Sequence, residues 1–180
     1  GGSTFFCDFA LDPVLFGESS PRRCRIGVES GFYDSYQSIY TDIESAIIKT
    51  SYKYKTNNLI LTGHSLGSIS TLLAVDIKNK YPKYNIISLV TFGSPRIGNS
   101  EFVKMFRTLK INSTRVTHYY DIVPHLPQER FGYQHIPSEI WYNEDSTKYR
   151  RCDDMNPDSL EDNSCSNSCA PLHCTSIDDH

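Results

Sequence analysis

Apolar residues recur along this chain with two different spacings, and the spacings alternate. Residues 31–51 open with turn-forming residues and run into Ile39, Ile43, Ile47 and Ile48, three to four apart, which predicts an amphipathic helix. Asn58–Thr62 is a short apolar run rich in strand formers. Leu66–Lys80 predicts a second helix, with Leu66, Ile69, Leu73 and Ile77 on one face and Pro82 helping to end it. Asn85–Phe92 predicts a buried strand. Asn99–Lys110 predicts a helix striped by Phe102, Met105, Phe106 and Leu109, and Arg115–Tyr120 a third strand. Strands alternating with helices imply an α/β fold, a mostly parallel central sheet with helices on both faces. Beyond Asp121 the pattern changes. Residues 124–137 hold three prolines and a glycine, and 143–180 are polar and rich in cysteine. This stretch reads as loops and irregular structure over the carboxyl edge of the sheet, where active sites of open α/β sheets gather.

Composition narrows the classes. A length of 180 residues without internal repeats suits one domain, 1–180, with a real core. With 38% hydrophobic and 22% charged residues the chain is globular, not disordered. The net charge of −3 is spread along the sequence with no basic stripe, which argues against a nucleic-acid partner. No apolar run approaches the ~20 residues of a membrane span. The chain opens on Gly1-Gly2-Ser3 with neither an initiator Met nor a signal peptide, and so reads as a processed or trimmed product.

Six cysteines fall at Cys7 and Cys24, then Cys152, Cys165, Cys169 and Cys174. An even number in a loop-rich tail favours disulfides and a secreted or lumenal protein. The rival is a zinc site using the late four with His173, but their spacings lack the paired CxxC of zinc ribbons. Cys7–Cys24, Cys152–Cys165 and Cys169–Cys174 is one of fifteen possible pairings. Asn112-Ser113-Thr114 is a glycosylation acceptor pattern, consistent with secretion.

Gly63-His64-Ser65-Leu66-Gly67 matches G-x-S-x-G between a predicted strand and a predicted helix, the setting in which a sharp turn lifts a serine hydroxyl out of the fold. The following helix offers backbone N–H groups to a developing oxyanion. A serine needs a base, and the base needs an orienting acid. Asp121, at the end of the third strand, is placed for the acid; the alternative is a turn-forming aspartate. The base must come later still. His125 lies between Pro124 and Pro127 and suits a turn, and His135 lies in an aromatic stretch and suits a packed position. Spacing does not choose between His173 and His180.

These residues, taken together, resemble the class 3 (fungal-type) lipases of the α/β-hydrolase superfamily. The resemblance is carried by Gly31-Phe32-Tyr33 with Tyr36, and by Thr62 to Gly67. It continues through Thr91-Phe92-Gly93-Ser94-Pro95-Arg96-Ile97-Gly98-Asn99 and Arg115 to His118. Asp121-Ile122-Val123-Pro124-His125-Leu126-Pro127, Gly132 to His135 and Glu139-Ile140-Trp141 complete it. The resemblance implies an α/β-hydrolase fold, truncated at its N-terminus because the family's early strands lie upstream of Ser3. It implies a catalytic triad of Ser65, Asp121 and His180, the last chosen because Ser176-Ile177-Asp178-Asp179-His180 looks like the start of the family's histidine segment. It implies oxyanion donors at Ser3 and at the Leu66 backbone N–H, and a lid over Thr4–Leu11. It implies hydrolysis of carboxylic esters of lipids at a lipid–water interface, outside the cell, without metal or cofactor. The rivals are a feruloyl-type or other non-lipase carboxylesterase, and a silent lipid-binding protein on the same fold.

Overall fold

The computed structural model describes residues 3–5, 26–153, 161–169 and 174–180. Strands β1 (Ser3–Phe5) and β2 (Gly27–Glu29) pair antiparallel and lead into helix α1 (Ser30–Tyr54). Strand β3 (Asn58–His64) runs into a 3₁₀ turn, Ser65–Ile69, and helix α2 (Ser70–Lys80). Strand β4 (Asn85–Phe92), the two-residue β5 (Gly98–Asn99), helix α3 (Ser100–Thr108) and strand β6 (Ser113–His118) follow. The remainder contributes β7 (Tyr133–Gln134), β8 (Glu139–Tyr142) and β9 (Tyr149–Arg151).

The main sheet has the order β3-β4-β6-β8-β9, parallel through its first four strands and antiparallel at β9. A second, antiparallel sheet has the order β1-β2-β5-β7. The irregular region foreseen after Asp121 therefore supplies strands to both sheets. Its strands are two to four residues long, too short to stand out as a periodic pattern.

Two helix caps show how the local sequence sets the elements. The Glu29 carboxylate accepts a 2.9 Å bond from the Phe32 N–H and opens α1. The Asn99 side chain accepts from the Phe102 N–H at 2.9 Å and from the Gly27 N–H at 3.0 Å, opening α3 while tying it to β2.

Helix α2 departs from the amphipathic expectation. Every residue from Ser70 to Ile77 is buried, and the expected apolar face is broken at Leu66, which lies in the 3₁₀ turn half exposed. Its buried carboxylate is bonded inside: the Tyr36 hydroxyl donates to Asp76 at 2.6 Å, and Lys80 pairs with Asp76 at 3.1 Å, clamping α1 to α2. Burial and the Asp76 carboxylate push the Tyr36 phenol far above its ordinary value, so it remains a donor.

The sheet is buried on the face of Leu61, Ile86, Leu89 and Thr91. Ile60, Ile87 and Phe92, whose side chains belong to the other face, are exposed among the described residues. The buried face is not wholly apolar. Thr91, Arg115 and Glu139 stand side by side in register across β4, β6 and β8. Arg115 donates to the Ile136 carbonyl at 2.6 Å and reaches Glu139 at 3.5 Å, and Thr117 donates to Glu139 at 2.5 Å.

Candidate active site

The carboxyl ends of β3, β4 and β6 lie side by side, His64 opposite Phe92 and Phe92 opposite Val116. The residues that follow these ends are Ser65, Gly93 and, one turn on, Asp121.

Ser65 has φ +54°, the left-handed region that an L-residue with a side chain enters at a cost of about 1–2 kcal/mol. The chain passes here from a strand directly into a 3₁₀ turn, so the reversal is forced within one residue. A Cβ on Gly63 would sit 2.0 Å from the Gly67 carbonyl oxygen, so the strand and the turn touch backbone to backbone beneath the serine. Gly67 itself has open space around its Cβ position. The G-x-S-x-G pattern is therefore sterically required at its first glycine and not at its second.

Asp121 is buried and uses both carboxylate oxygens. Oδ1 accepts from the Val123 N–H at 2.8 Å, and Oδ2 accepts from His180 Nδ1 at 2.9 Å. With Nδ1 donating to a carboxylate, the neutral ring carries its lone pair on Nε2. That nitrogen is buried and has no hydrogen-bond partner among the described residues. Gly93 makes the room: its φ is +52°, and a Cβ there would lie 2.8 Å from His180 Cε1 and 3.0 Å from Asp121 Oδ2. No pattern in the sequence singled out Gly93 as part of the site; only a fold that lays β4 beneath the histidine gives it that place.

The segment carrying His180 is held by its backbone. The Ile122 N–H donates to the Ser176 carbonyl at 3.0 Å and the Ser176 N–H to the Tyr120 carbonyl at 3.2 Å, beside a parallel bridge of Asp121 with Ser176. The His64 ring packs against the His180 ring at 4.6 Å between centroids, and its Nε2 lies 3.0 Å from the His180 backbone oxygen.

The other histidines take different places. His135 is buried, its Nε2 donating to the Pro124 carbonyl at 2.7 Å, and burial with Arg115 nearby holds its pKa well below the usual range. His125 lies in a 3₁₀ turn, Val123–His125, and burial followed by the Arg96 charge pushes it down to about 4. Neither is bonded to Asp121. His173 lies outside the described residues. Ser3 pairs with Glu29 in β1. Of the expected lid, Thr4 and Phe5 belong to β1 and the remainder lies outside the described residues.

Behind the loop that follows Asp121, Arg96 donates through Nε and Nη2 to the two oxygens of Glu161 at 2.8 and 2.7 Å, and through Nη1 to the Pro127 carbonyl at 3.0 Å. Burial disfavours the charge on Glu161, but the surrounding cations outweigh it and hold the carboxyl well below the usual range. The His135 N–H donates to the same carboxylate at 3.1 Å. Sequence reasoning did not reach this network, because Arg96 and Glu161 are 65 residues apart.

Cys152–Cys165 and Cys169–Cys174 are disulfides, as in the pairing considered, while Cys7 and Cys24 lie outside the described residues. Two sets of residues converge as metal ligands would: His125 with Cys169 and Cys174, and Asp162 with Cys152 and Cys165. In each the two sulfurs are bonded to one another, so neither offers thiolates.

A left-handed serine between a parallel strand and a helix, with an acid–histidine pair beyond later strands of the same sheet, defines an α/β-hydrolase arrangement. The profile of the family described as "Lipase (class 3)" matches residues 6–131, and the chain belongs to that family. It is 34% identical over 175 residues to a lipase of Rhizopus niveus, across 95% of this chain and 43% of that protein. It is 35% identical over 117 residues to the secreted mono- and diacylglycerol lipase 1 of Fusarium solani, across 64% of this chain and 34% of that protein. A solved structure described as a triacylglycerol lipase whose catalytic centre is a serine protease triad superposes with a TM-score of 0.76 at 32% identity, over 91% of this chain and 61% of that one. The chain thus spans less than half the length of these curated relatives.

Proposed function

We propose that this chain carries the catalytic centre of a serine ester hydrolase, with lipid esters as substrates and Ser65 as the nucleophile. The reading rests on one observation above the others. His180 donates through Nδ1 to buried Asp121, while its Nε2 has no partner among the described residues at the sheet edge where Ser65 is lifted out of the fold. Family membership and the names of the relatives support ester bonds of acylglycerols as the target.

In this mechanism His180 Nε2 takes the Ser65 proton as the hydroxyl attacks the ester carbonyl. The oxyanion is received by the Leu66 N–H at the start of the 3₁₀ turn and by Ser3. His180 returns the proton to the leaving alcohol, then activates water to release the acid from Ser65. Asp121 holds the ring in the Nδ1–H tautomer and stabilises its cation. The steps need no metal and no organic cofactor. Two disulfides and the secreted Fusarium relative support an extracellular setting, where contact with a lipid–water interface follows from the substrate. No helix among the described residues is long and apolar enough to cross a membrane.

Ser65→Ala is expected to lower turnover of a soluble p-nitrophenyl ester by roughly 10⁴-fold or more in the full chain and to abolish labelling by a fluorophosphonate probe. Turnover that survives the substitution would remove Ser65 from the mechanism.

A further inference from the structure

His118 ends β6, three residues before Asp121, and both of its ring nitrogens are engaged. Nδ1 lies 2.9 Å from the Asp179 carbonyl oxygen and Nε2 lies 3.0 Å from the Glu144 carbonyl oxygen. A carbonyl oxygen only accepts. A neutral imidazole has one N–H and can satisfy one of these contacts; an imidazolium has two and satisfies both. The two acceptors belong to different parts of the chain. Glu144 follows β8 in the main sheet, and Asp179 immediately precedes His180.

We propose that His118 is a positioning residue for the catalytic base: as an imidazolium it bridges the sheet to the Asp179 backbone and so fixes the segment that presents His180. The proposal rests on the ester-hydrolase reading for its consequence in catalysis, but not for the charge state of the ring.

The surroundings favour that charge. The Asp179 carboxylate lies 4.0 Å from Nδ1, and Asp121 adds a second negative charge. His64 and His180 line the same cavity of about 250 Å³, with Phe92 and Val116. Burial works to lower the His118 pKa, but the bonds to Asp179 and Glu144 and the charges of Asp179 and Asp121 together raise it above its ordinary 6.5. The ring is 29% exposed, so protons exchange freely with solvent.

The sign of the pH effect follows. Because the folded-state pKa is raised, the clamp is complete below the ordinary value of 6.5 and is lost as pH rises through the raised value. His180 requires the opposite, since it acts as a base only when neutral. Ester hydrolysis therefore falls on the alkaline side for a reason separate from the titration of the triad: the base is ready, but its mount has loosened.

The test is a pair of measurements on the full chain. In NMR of protein labelled at histidine ring nitrogens, His118 is expected to be predominantly doubly protonated at pH 6.5, with a midpoint above that value. The downfield Nδ1–H signal of His180 is expected to broaden as His118 titrates. In kinetics on a soluble ester, His118→Asn is expected to lower kcat about tenfold at pH 6.5, the size of one charge-assisted hydrogen bond, with KM unchanged and the alkaline fall abolished. A ring whose midpoint lies at or below 6.5, or an alkaline fall that survives in His118→Asn, overturns the proposal. If neither protein labels with a fluorophosphonate, the hydrolase reading fails separately, and the two NMR signals still decide whether the clamp exists.

Discussion

Ser65 and His180 are held in place by different physics. Ser65 is mounted where β3 enters the 3₁₀ turn ahead of α2, over the buried side chains of Ile69, Leu72, Leu73 and Ile77. It cannot shift without disturbing that core. His180 stands on a segment with little apolar anchoring: Cys174 is buried, but Ile177 is 76% exposed. Beyond the Cys169–Cys174 disulfide at its start, what holds the segment is a set of hydrogen bonds to Tyr120, Ile122, Asp121, His118 and His64. Each such bond contributes about 0.5–1.5 kcal/mol net, somewhat more where a charge takes part. Ser65, the proposed nucleophile, is thus fixed at the level of the whole fold, and His180, the proposed base, at the level of local opening, which takes less free energy. The conditions that move hydrogen bonds, pH above all, are expected to act on the base long before they reach the nucleophile.

The largest effect that would test this contrast is expected at Gly63. Its missing Cβ would lie 2.0 Å from the Gly67 carbonyl oxygen and 2.9 Å from the Ser68 N, both backbone atoms that cannot swing aside. Gly63→Ala is expected to cost about 3 kcal/mol or more and to lower the denaturation midpoint sharply, with loss of activity following loss of fold. Equilibrium unfolding in urea measures it. A variant that unfolds like the parent but does not turn over ester would mean that the elbow is mounted less firmly than the packing implies.

Gly93 probes the other region. Alanine there meets the strain of φ +52° and brings a methyl to within 3.0 Å of the His180 ring and Asp121 Oδ2. These are side-chain atoms on a hydrogen-bonded mount, so they yield. Gly93→Ala is expected to lower kcat about 100-fold through a displacement of the acid–base pair of well under an ångström, while stability falls by only about 1 kcal/mol. The check is kcat on a soluble ester set against the thermal midpoint of the same preparation. Equal damage to both would erase the distinction between the two regions.

Much of this contrast was legible in the sequence on the nucleophile side and little of it on the other. The helices and strands from Ile39 to His118 announce themselves through apolar periodicity, and Ser65 through a motif whose setting could be checked. Helix α2 differs from its expected single apolar face: Ser70, Thr71 and Asp76 are buried as well, and the Asp76 carboxylate is satisfied by Tyr36 and Lys80 from inside the fold. Arg115 and Glu139 are hidden for the same reason, each supplying the partner that makes the other's burial tolerable. On the side of the base, periodicity has nothing to report. Residues 174–180 are placed by hydrogen bonds to carbonyls and amides, which carry no sequence signature. Spacing left His173 and His180 equal, and the choice of His180 came from family resemblance alone. The contact of His180 with Asp121 spans 59 residues of chain. The structural roles of Gly93, His118 and the Arg96–Glu161 pair were out of reach for the same reason.

The smallest expected effect lies inside the motif itself. Pattern and steric reasoning treat the two flanking glycines of Gly63-His64-Ser65-Leu66-Gly67 alike, as small residues clearing space around the serine. The structure separates them. An added Cβ on Gly67 meets nothing within 4 Å, and Gly67 is not among the glycines with positive φ. It lies in the 3₁₀ turn, where alanine is at least as acceptable as glycine and narrows the unfolded ensemble. Gly67→Ala is therefore expected to leave stability within about 0.5 kcal/mol of the parent, or to raise it slightly. Turnover of a short soluble ester should be unchanged, and unfolding and kcat measured beside Gly63→Ala make the comparison internal. A loss of kcat at constant stability would show that the second glycine clears room for the acyl group instead of the backbone. The space beside the 3₁₀ turn would then belong to the substrate, and the mount of the nucleophile would be firm on its strand side only.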